Sequence, residues 1–426
     1  MIDRNVLLND FDESVRRYAR RGVPLETVAE ARDAAVARRQ LIRKVEDLRA
    51  DLRRRSEEIG AAMKAGRRDD AERAKAEQAE LKAQLARGED ELRAAEERET
   101  YLFLRIPNFP SADAPDGLTE EDNVVRSIHG WDDRYEGDGW LPHWDIAARL
   151  GVWDQERASK ISGAMFAVLR GDGARLLRAL VSFGLDINRP RYTEILAPHF
   201  VKTETFVGTG QLPKFEAEAY RMRDDDLWAI PTGEVPLMGL HREEILPEEE
   251  MPKRYMTYTV CFRREAGSAG KDTRGMQRLH EFHKVELLKL CTPEQIDQEY
   301  DALLADCARP LELLGLPYRV VDLCCGDLTF SSARVFDLEV WCPGVRRWLE
   351  VSSVGMFTDF QTRRGNIRFR RAGHKPELAQ ALNGSGLATP RVWAAIIEHG
   401  LQPDGSVKIP EPLVPYMGGK TVLTPA

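Results

Sequence analysis

The stretch "FRREAGSAGKDTRGMQRLHEFHKVE", Phe262 to Glu286, gathers charges of both signs around a glycine-rich loop. Alternate residues of a strand share a face. The upstream run "TYTVCFRRE" therefore sets Thr259, Cys261, Arg263 and Glu265 on one side and Tyr258, Val260 and Phe262 on the other. The downstream run "RLHEFHKVELL" sets Arg278, His280, Phe282, Lys284 and Glu286 together. Two arginines, two glutamates and a phenylalanine on one face could bind a nucleotide. The ring stacks on a base, the arginines fork onto phosphate oxygens, and the carboxylates receive an amine or hold a metal ion. A solvated sheet face laced with cross-strand ion pairs has the same pattern. The intervening "AGSAGKDTRGMQ" is too long for a tight hairpin turn, and its glycines admit backbone conformations other residues avoid. It reads as a mobile, cationic flap.

These residues need a scaffold, and the rest of the chain suggests one. After Pro24 there is no proline as far as Leu104. Leu41, Val45, Leu48, Leu52 and Ile59 follow a heptad seam with Arg55 in the skipped position, and Leu81, Leu85, Leu92, Ala95 and Leu102 repeat it. "KAGRRDD" breaks the pattern and is the natural turn. The spacing predicts two helices of roughly 35 residues, near 50 Å long, folded back as an antiparallel coiled-coil hairpin. Arg53, Arg54, Arg55, Lys64, Arg67 and Arg68 crowd its far end. A basic tip of this kind suits nucleic-acid phosphates, although charge runs on helices are also ordinary solvated faces and coiled-coil arms also serve oligomerisation.

"RIPNFPSADAPDGLTEEDN" reads by composition as a linker. Beyond it, "GARLLRALVSFGLDI" and "PEQIDQEYDALLADCARPLELLG" read as helices. "YTEILAPHF" (ending at Pro198), "LPYRVVDLCC", "VFDLEVWC" and "RRWLEVSSV" read as strands. Strands outnumber the crossover helices that a parallel sheet needs, and neither GxGxxG nor GxxxxGK[ST] occurs. The expected fold class is α+β, a mainly antiparallel sheet with flanking helices preceded by the coiled-coil arm.

The length of 426 residues suggests two or three domains. No apolar run approaches the ~20 residues of a membrane helix, and "MIDRNVLLNDFDESV" lacks the regions of a signal peptide, so a cytoplasmic location and no membrane partner are expected. Six cysteines without a CxxC pair point to reduced, buried thiols. The net charge of −8 argues against a wholly basic nucleic-acid wrapper. Residues 1–105 carry 24 Lys+Arg against 23 Asp+Glu, so most of the negative charge lies outside the arm.

With "FRREAG" and "RLHEFHKVE", the chain resembles motif 2 of class II aminoacyl-tRNA synthetases in the form characteristic of seryl-tRNA synthetases. The match continues through "VGTGQLPKF", "IPTGEVPL", "LPYRVV", "CCGDL", "FDLEVWCPG", "LEVSSV", "DFQTRR" and "LNGSGLATPR", essentially the whole chain. The resemblance implies an arm over 1–110 and a catalytic domain over 111–426, with motif 1 near 176–200, motif 2 near 257–288 and motif 3 near 382–398. It implies a homodimer with Pro198 at the interface. It also implies an ATP-dependent ligase that joins L-serine to tRNA(Ser), with tRNA(Sec) as a second candidate.

Residue by residue, the resemblance places Arg263 on the α-phosphate and Glu265 near the adenine amine. Phe282 and Arg391 would cover the two faces of adenine, and Glu350 and Ser353 would hold Mg²⁺ and ATP. The ATP site would include Arg264, Val351 and Ser352 as well. Arg263, Glu350 and Arg391 would be catalytic. The serine site would comprise Thr232, Gly233, Glu234 on the ammonium, Arg263, Glu286 on the hydroxyl, Asn383 and Ser385. Arg53, Arg54, Lys64, Arg67 and Arg68 would meet the tRNA.

Three places depart from the family pattern. Gly233 stands where alanine is usual, adding backbone freedom. Val354, Gly355 and Met356 replace a polar triplet, which bears on pocket polarity, with Met356 readable as core filler. Glu281 replaces a glutamine beside Phe282, on the opposite strand face. A paralogue with altered amino-acid specificity or a role outside general translation, or a non-catalytic tRNA-binding paralogue, would share the same motifs.

Overall fold

The computed structural model describes residues 1–266 and 274–425. The chain forms two compact units, Ile2–Ile106 and, separately, Met1 with Pro107–Ala426. The expected flap falls largely on residues 267–273, outside the described residues.

In the first unit, helices α1 (Leu25–Lys64) and α2 (Arg68–Phe103) pack side by side and turn at residues 65–67. Val45 is fully buried on the seam, and Leu41, Leu48, Leu52 and Ile59 are half-buried, as a two-stranded interface allows. The helix α1 holds 40 residues, about 60 Å, longer than the sequence suggested because it starts directly after Pro24. Cross-helix pairs flank the seam: Lys44 to Glu91 at 2.8 Å, Arg49 to Glu89 at 2.7 Å and Arg55 to Glu77 at 2.7 Å. Arg55 also meets Glu58 at 2.7 Å, so the residue at the skipped heptad position is a bridge. Arg54 pairs with Asp51 at 2.7 Å and Arg67 approaches Asp70 at 3.6 Å. Arg53, Lys64 and Arg68 are exposed, and none of them makes an ion pair among the described residues.

The second unit is built on an eight-stranded sheet. In chain order the strands of this sheet and the main helices packed about it begin with β1 (Val124–His129), α3 (His143–Arg149), α4 (Asp172–Asn188), β2 (Thr193–Glu194) and α5 (Glu234–Gly239). Next come β3 (Lys253–Phe262), β4 (Glu281–Cys291), α6 (Ile296–Leu313), β5 (Tyr318–Asp322) and β6 (Arg334–Cys342). The last are β7 (Arg347–Thr358), α7 (Phe360–Gly365), β8 (Gln380–Ala388) and α8 (Thr389–His399). The strand order is β1-β5-β6-β7-β8-β4-β3-β2, antiparallel throughout except for the parallel β2/β3 edge. Apolar residues at i, i+4 and i+7 in α4, Leu176, Leu180 and Phe183, enter one core with Tyr300 and Leu303 of α6 and Trp393 and Ile396 of α8. Trp393 is fully buried and donates its indole N–H to Gly173 O at 3.1 Å. Strand β4 shows what this does for function. Val285 and Leu287 join that core, Leu288 and Leu290 join a second cluster with Leu237 of α5, and Phe282, Lys284 and Glu286 line a cavity.

Two expectations need correction. The proline-rich segment after the arm is not a loose linker. Asn108 is buried and donates to Ser331 O at 3.0 Å and Phe357 O at 2.9 Å, while Phe109 and Ala114 are also buried. "YTEILAPHF" contributes only Thr193–Glu194 to the main sheet, with Phe200–Val201 pairing elsewhere, because Pro198 lacks the amide a ladder requires. All six cysteines are buried thiols. Among the described residues, no helix is long and apolar enough to cross a membrane.

Candidate active site

A cavity of about 530 Å³ opens on the sheet face carried by β3, β4, β7 and β8. At one end, Arg263 and Glu265 follow β3 and Phe282 begins the exposed part of β4. The backbone ladder runs on beyond the strands, with Arg263 N–H donating to His280 O at 2.9 Å. The Arg263 guanidinium lies 5.0 Å from the Phe282 ring centre, a cation over a π face. Glu265 adopts a φ of +50°, a region non-glycine residues rarely enter, and its carboxylate accepts from Arg278 at 2.7 Å. Arg391, in the first turn of α8, donates Nε to Gln277 O at 2.9 Å and a terminal nitrogen to Glu350 O at 2.5 Å. An aromatic ring and three guanidinium groups thus converge where a flat base and an anion would fit.

The other end is acidic and closed. Glu234 starts α5, and Glu286 sits on β4 opposite Thr257 of β3 and Ser385 of β8. Thr232 donates its hydroxyl to Glu286 Oε2 at 2.8 Å and accepts from the Lys284 ammonium at 2.8 Å. Lys284 also forms an ion pair with Glu286, and both side chains are buried. Gln361 of α7 donates to Glu234 and to Thr209 O, the latter at 3.0 Å, while its own Oε1 is buried without a partner among the described residues. Burial pushes the Glu234 carboxyl up to about 7; the nearby Glu286 adds to the shift, while hydrogen bonds from Gln361 and Asn383 and the Lys284 charge oppose it. With Glu286 matched by Lys284, Glu234 is the carboxyl that ionises when a cation pairs with it, which suits a small cation that also carries a hydroxyl.

Glu350 and Ser353 of β7 face the cavity between these ends. Asp337 of β6 lies directly across the ladder from Ser353. Its Oδ1 is buried without a partner among the described residues, and burial followed by the Glu350 charge raises its pKa well above the ordinary carboxylate range. An orphaned carboxylate oxygen beside a second carboxylate and a hydroxyl fits a divalent cation. Mg²⁺ in particular is held by one or two carboxylates, with phosphate oxygens completing its shell.

Of the residues singled out from the sequence, Thr232, Glu234, Arg263, Glu265, Phe282, Glu286, Glu350, Val351, Ser353, Asn383, Ser385 and Arg391 all line this one cavity. Three of the residues expected at the ATP and serine sites do not. Arg264 turns to Ala217 O at 3.1 Å, Ser352 donates to Ser385 O at 2.9 Å from a buried position, and Gly233 lies behind the wall. Gly233 has an ordinary helical backbone, so freedom is not its role. A Cβ there would meet Thr257 Cγ2 at 2.7 Å and Glu286 Cβ at 2.9 Å, so the glycine permits close approach. In the "VGM" stretch, Val354 and Met356 point into the core and only Gly355 borders the cavity. The sequence reading gave no role to Lys284, Gln361 or Asp337. For Lys284 the period-two pattern already marked the face, but its partner Thr232 lies on a distant segment.

The comparisons with known proteins bear on the same residues. Residues 1–110 match the seryl-tRNA synthetase N-terminal domain, and residues 214–400 match the tRNA synthetase class II core domain (G, H, P, S and T). A serine--tRNA ligase of Synechococcus sp. (strain RCC307) is 43% identical over 429 residues, covering 100% of both chains. The chain belongs to the seryl-tRNA synthetase family. Another relative, the serine--tRNA ligase of Syntrophotalea carbinolica, is 45% identical over 98% of this chain and 99% of its own. Among solved structures, seryl-tRNA synthetase from Pyrococcus horikoshii complexed with ATP superposes with a TM-score of 0.92 at 32% identity, covering 100% of each chain. The cytoplasmic serine-tRNA ligase from Naegleria fowleri in complex with AMP gives 0.88 at 26% identity, covering 100% and 99%. The α+β fold with its helical arm is the one seen in the solved seryl-tRNA synthetase.

Proposed function

We propose that the chain is a serine--tRNA ligase, activating L-serine with ATP and passing the seryl group to tRNA(Ser). The observation that carries this is the two-ended cavity. Glu234 and Glu286 stand ready for an ammonium and a hydroxyl, and Phe282, Arg263 and Arg391 for a nucleotide. The serine carboxylate attacks the α-phosphorus of ATP in line, and pyrophosphate leaves. Arg263 offsets the charge that builds on the transferring phosphate. Bound Mg²⁺, held by Glu350 and Ser353, would supply charge neutralisation on the phosphates. The acyl group then passes from seryl-adenylate to the terminal adenosine of the tRNA. No nucleophilic side chain is needed, since alignment and electrostatics lower both barriers. Glu286 discriminates against alanine, because without the substrate hydroxyl a buried carboxylate lone pair stays unmatched.

The exposed basic residues Arg53, Arg54, Lys64, Arg67 and Arg68 support tRNA backbone contact by the arm. A homodimer is supported by apolar exposure around motif 1, where Leu196 is 90% and Phe200 44% accessible beside the β2 sheet edge.

The test is ATP–pyrophosphate exchange with serine, threonine, alanine, cysteine and glycine, followed by charging of tRNA(Ser) and tRNA(Sec). Exchange with serine alone is expected. Exchange with another amino acid would assign the chain to a paralogue of altered specificity, and none at all to a non-catalytic one.

A further inference from the structure

Outside the cavity, a buried histidine and glutamate form a chain of hydrogen bonds that reaches its nucleotide end. Glu398 of α8 is fully buried, as is His143 at the start of α3. One Glu398 oxygen accepts from both the His143 backbone N–H, at 3.0 Å, and its Nδ1, at 2.8 Å. The other accepts from Gly344 N–H at 2.8 Å. The far side of the imidazole meets Met276, whose backbone N–H lies 2.9 Å from Nε2. A backbone N–H only donates, so Nε2 is the acceptor and the Nδ1–H tautomer faces Glu398. The contact is close enough to demand glycine beside it. Gly275 has a φ of +64°, and a Cβ there would stand 2.1 Å from His143 Nε2.

Met276 is followed by Gln277, whose carbonyl receives Arg391 Nε at 2.9 Å. Arg391 is tied at its other end to Glu350 O. The path from Glu398 to the cavity is therefore made of covalent bonds and hydrogen bonds that are buried at His143 and part-buried at Gln277, and its last member is a guanidinium that lines the same cavity as Phe282.

We propose that His143, oriented by Glu398, is a positioning residue for ATP: it fixes the backbone at Met276 and Gln277 and, through Gln277 O, the attitude of Arg391. This rests on the reading of the Phe282 and Arg391 end as the nucleotide site. His143 touches no substrate, and the amino-acid end, held by Thr232, Lys284 and Gln361, shares none of these bonds.

The experiment compares His143→Asn and His143→Gln with the parent protein. Glutamine places an acceptor oxygen near the position of Nε2, whereas asparagine is too short and leaves the Met276 amide unpaired. In serine-dependent pyrophosphate exchange, His143→Asn should raise the KM for ATP about tenfold. The KM for serine should stay within about twofold, and His143→Gln should stay within about threefold of the parent for both. Amide hydrogen exchange at Met276 should accelerate in the asparagine variant and not in the glutamine one. Parallel rises in both KM values, or equal impairment of the two variants, would reduce His143 to a packing residue. If the parent protein lacked serine-dependent exchange, the functional reading would fail on its own. The Met276 amide would still judge the clamp, and continued protection in His143→Asn would overturn it.

Discussion

At the scale of single residues, the amino-acid end of the cavity is governed by how three buried charges share too little water. Glu286 has Lys284 beside it and Thr232 above it, whereas Glu234 has only amide donors and sits at about pKa 7. Its folded value is raised above that of an unfolded glutamate. The folded protein therefore holds a proton that the unfolded chain gives up from about pH 4.5. The contribution to stability is present at low pH and lost as pH rises through about 7. Binding reverses the preference, because an ammonium pairs with the ionised form and expels the proton. Serine affinity should accordingly weaken about tenfold between pH 8 and pH 6, with proton release visible as a buffer-dependent binding enthalpy. A flat KM for serine across that range would remove Glu234 from the ammonium role. The alternation of residues in the "HEFHKVE" run was enough to place Phe282, Lys284 and Glu286 on one face. It could not reveal that Lys284 neutralises Glu286, since that depends on Thr232, which arrives from before β3. Nor could it show that Gly233 acts by closeness instead of freedom. Only the packed distance to Glu286 Cβ makes the difference.

At the scale of elements, the arm illustrates how a periodic signal outlasts local detail. Its heptads were enough to place two antiparallel helices, because a seam repeated over many turns has only one way to be buried. The electrostatics of its tip were less legible. Read along the chain, Arg53, Arg54, Arg55, Lys64, Arg67 and Arg68 form one cluster. In three dimensions Arg55 is spent on Glu58 and Glu77, and Arg54 on Asp51. Exposed pairs of this sort contribute little, because water and salt screen them, so Arg54 can exchange its partner for a phosphate easily while Arg55 is held twice. The segment after the arm was misread for a related reason. Proline and acidic residues resemble a linker by composition, but Asn108 finds buried carbonyl partners that only the folded sheet supplies. Reversing the charge of Arg67 and Arg68 together should weaken tRNA binding by about tenfold and reduce the slope of log affinity against log salt by about two, leaving pyrophosphate exchange unchanged. If affinity and slope both stayed as in the parent, the tip would be an ordinary solvated face.

At the scale of the whole molecule, the sheet edge beside the exposed Leu196 and Phe200 is wired to the strand that carries Glu286. Tyr192, just before β2, donates to Asp306 of α6 at 2.6 Å, and Arg191 pairs with the same carboxylate at 2.7 Å. Lys289 of β4 is fully buried and donates to Glu299 O at 2.9 Å, with the Glu299 carboxylate 3.0 Å away. Arg254 of β3 completes the set at Glu299. Lys289 lies on the same strand as Lys284 and Glu286 and also stands 3.9 Å from Asp306, so the residues just before β2 share one partly buried charge network with β3, β4 and α6. Buried ions of this kind tolerate displacement badly, because a separated partner leaves an uncompensated charge in a low dielectric. A partner subunit covering Leu196 and Phe200 would hold the motif 1 segment, and through it the register of β4 beneath the substrate. Leu196→Asp places a charge in the middle of that exposed apolar patch without touching the cavity. It should yield a monomer by sedimentation velocity and, because the network loses its outer support, lower serine-dependent exchange about tenfold. A monomer with full exchange would show that the network holds β4 without a partner, and an unchanged dimer would put the interface elsewhere on the catalytic unit.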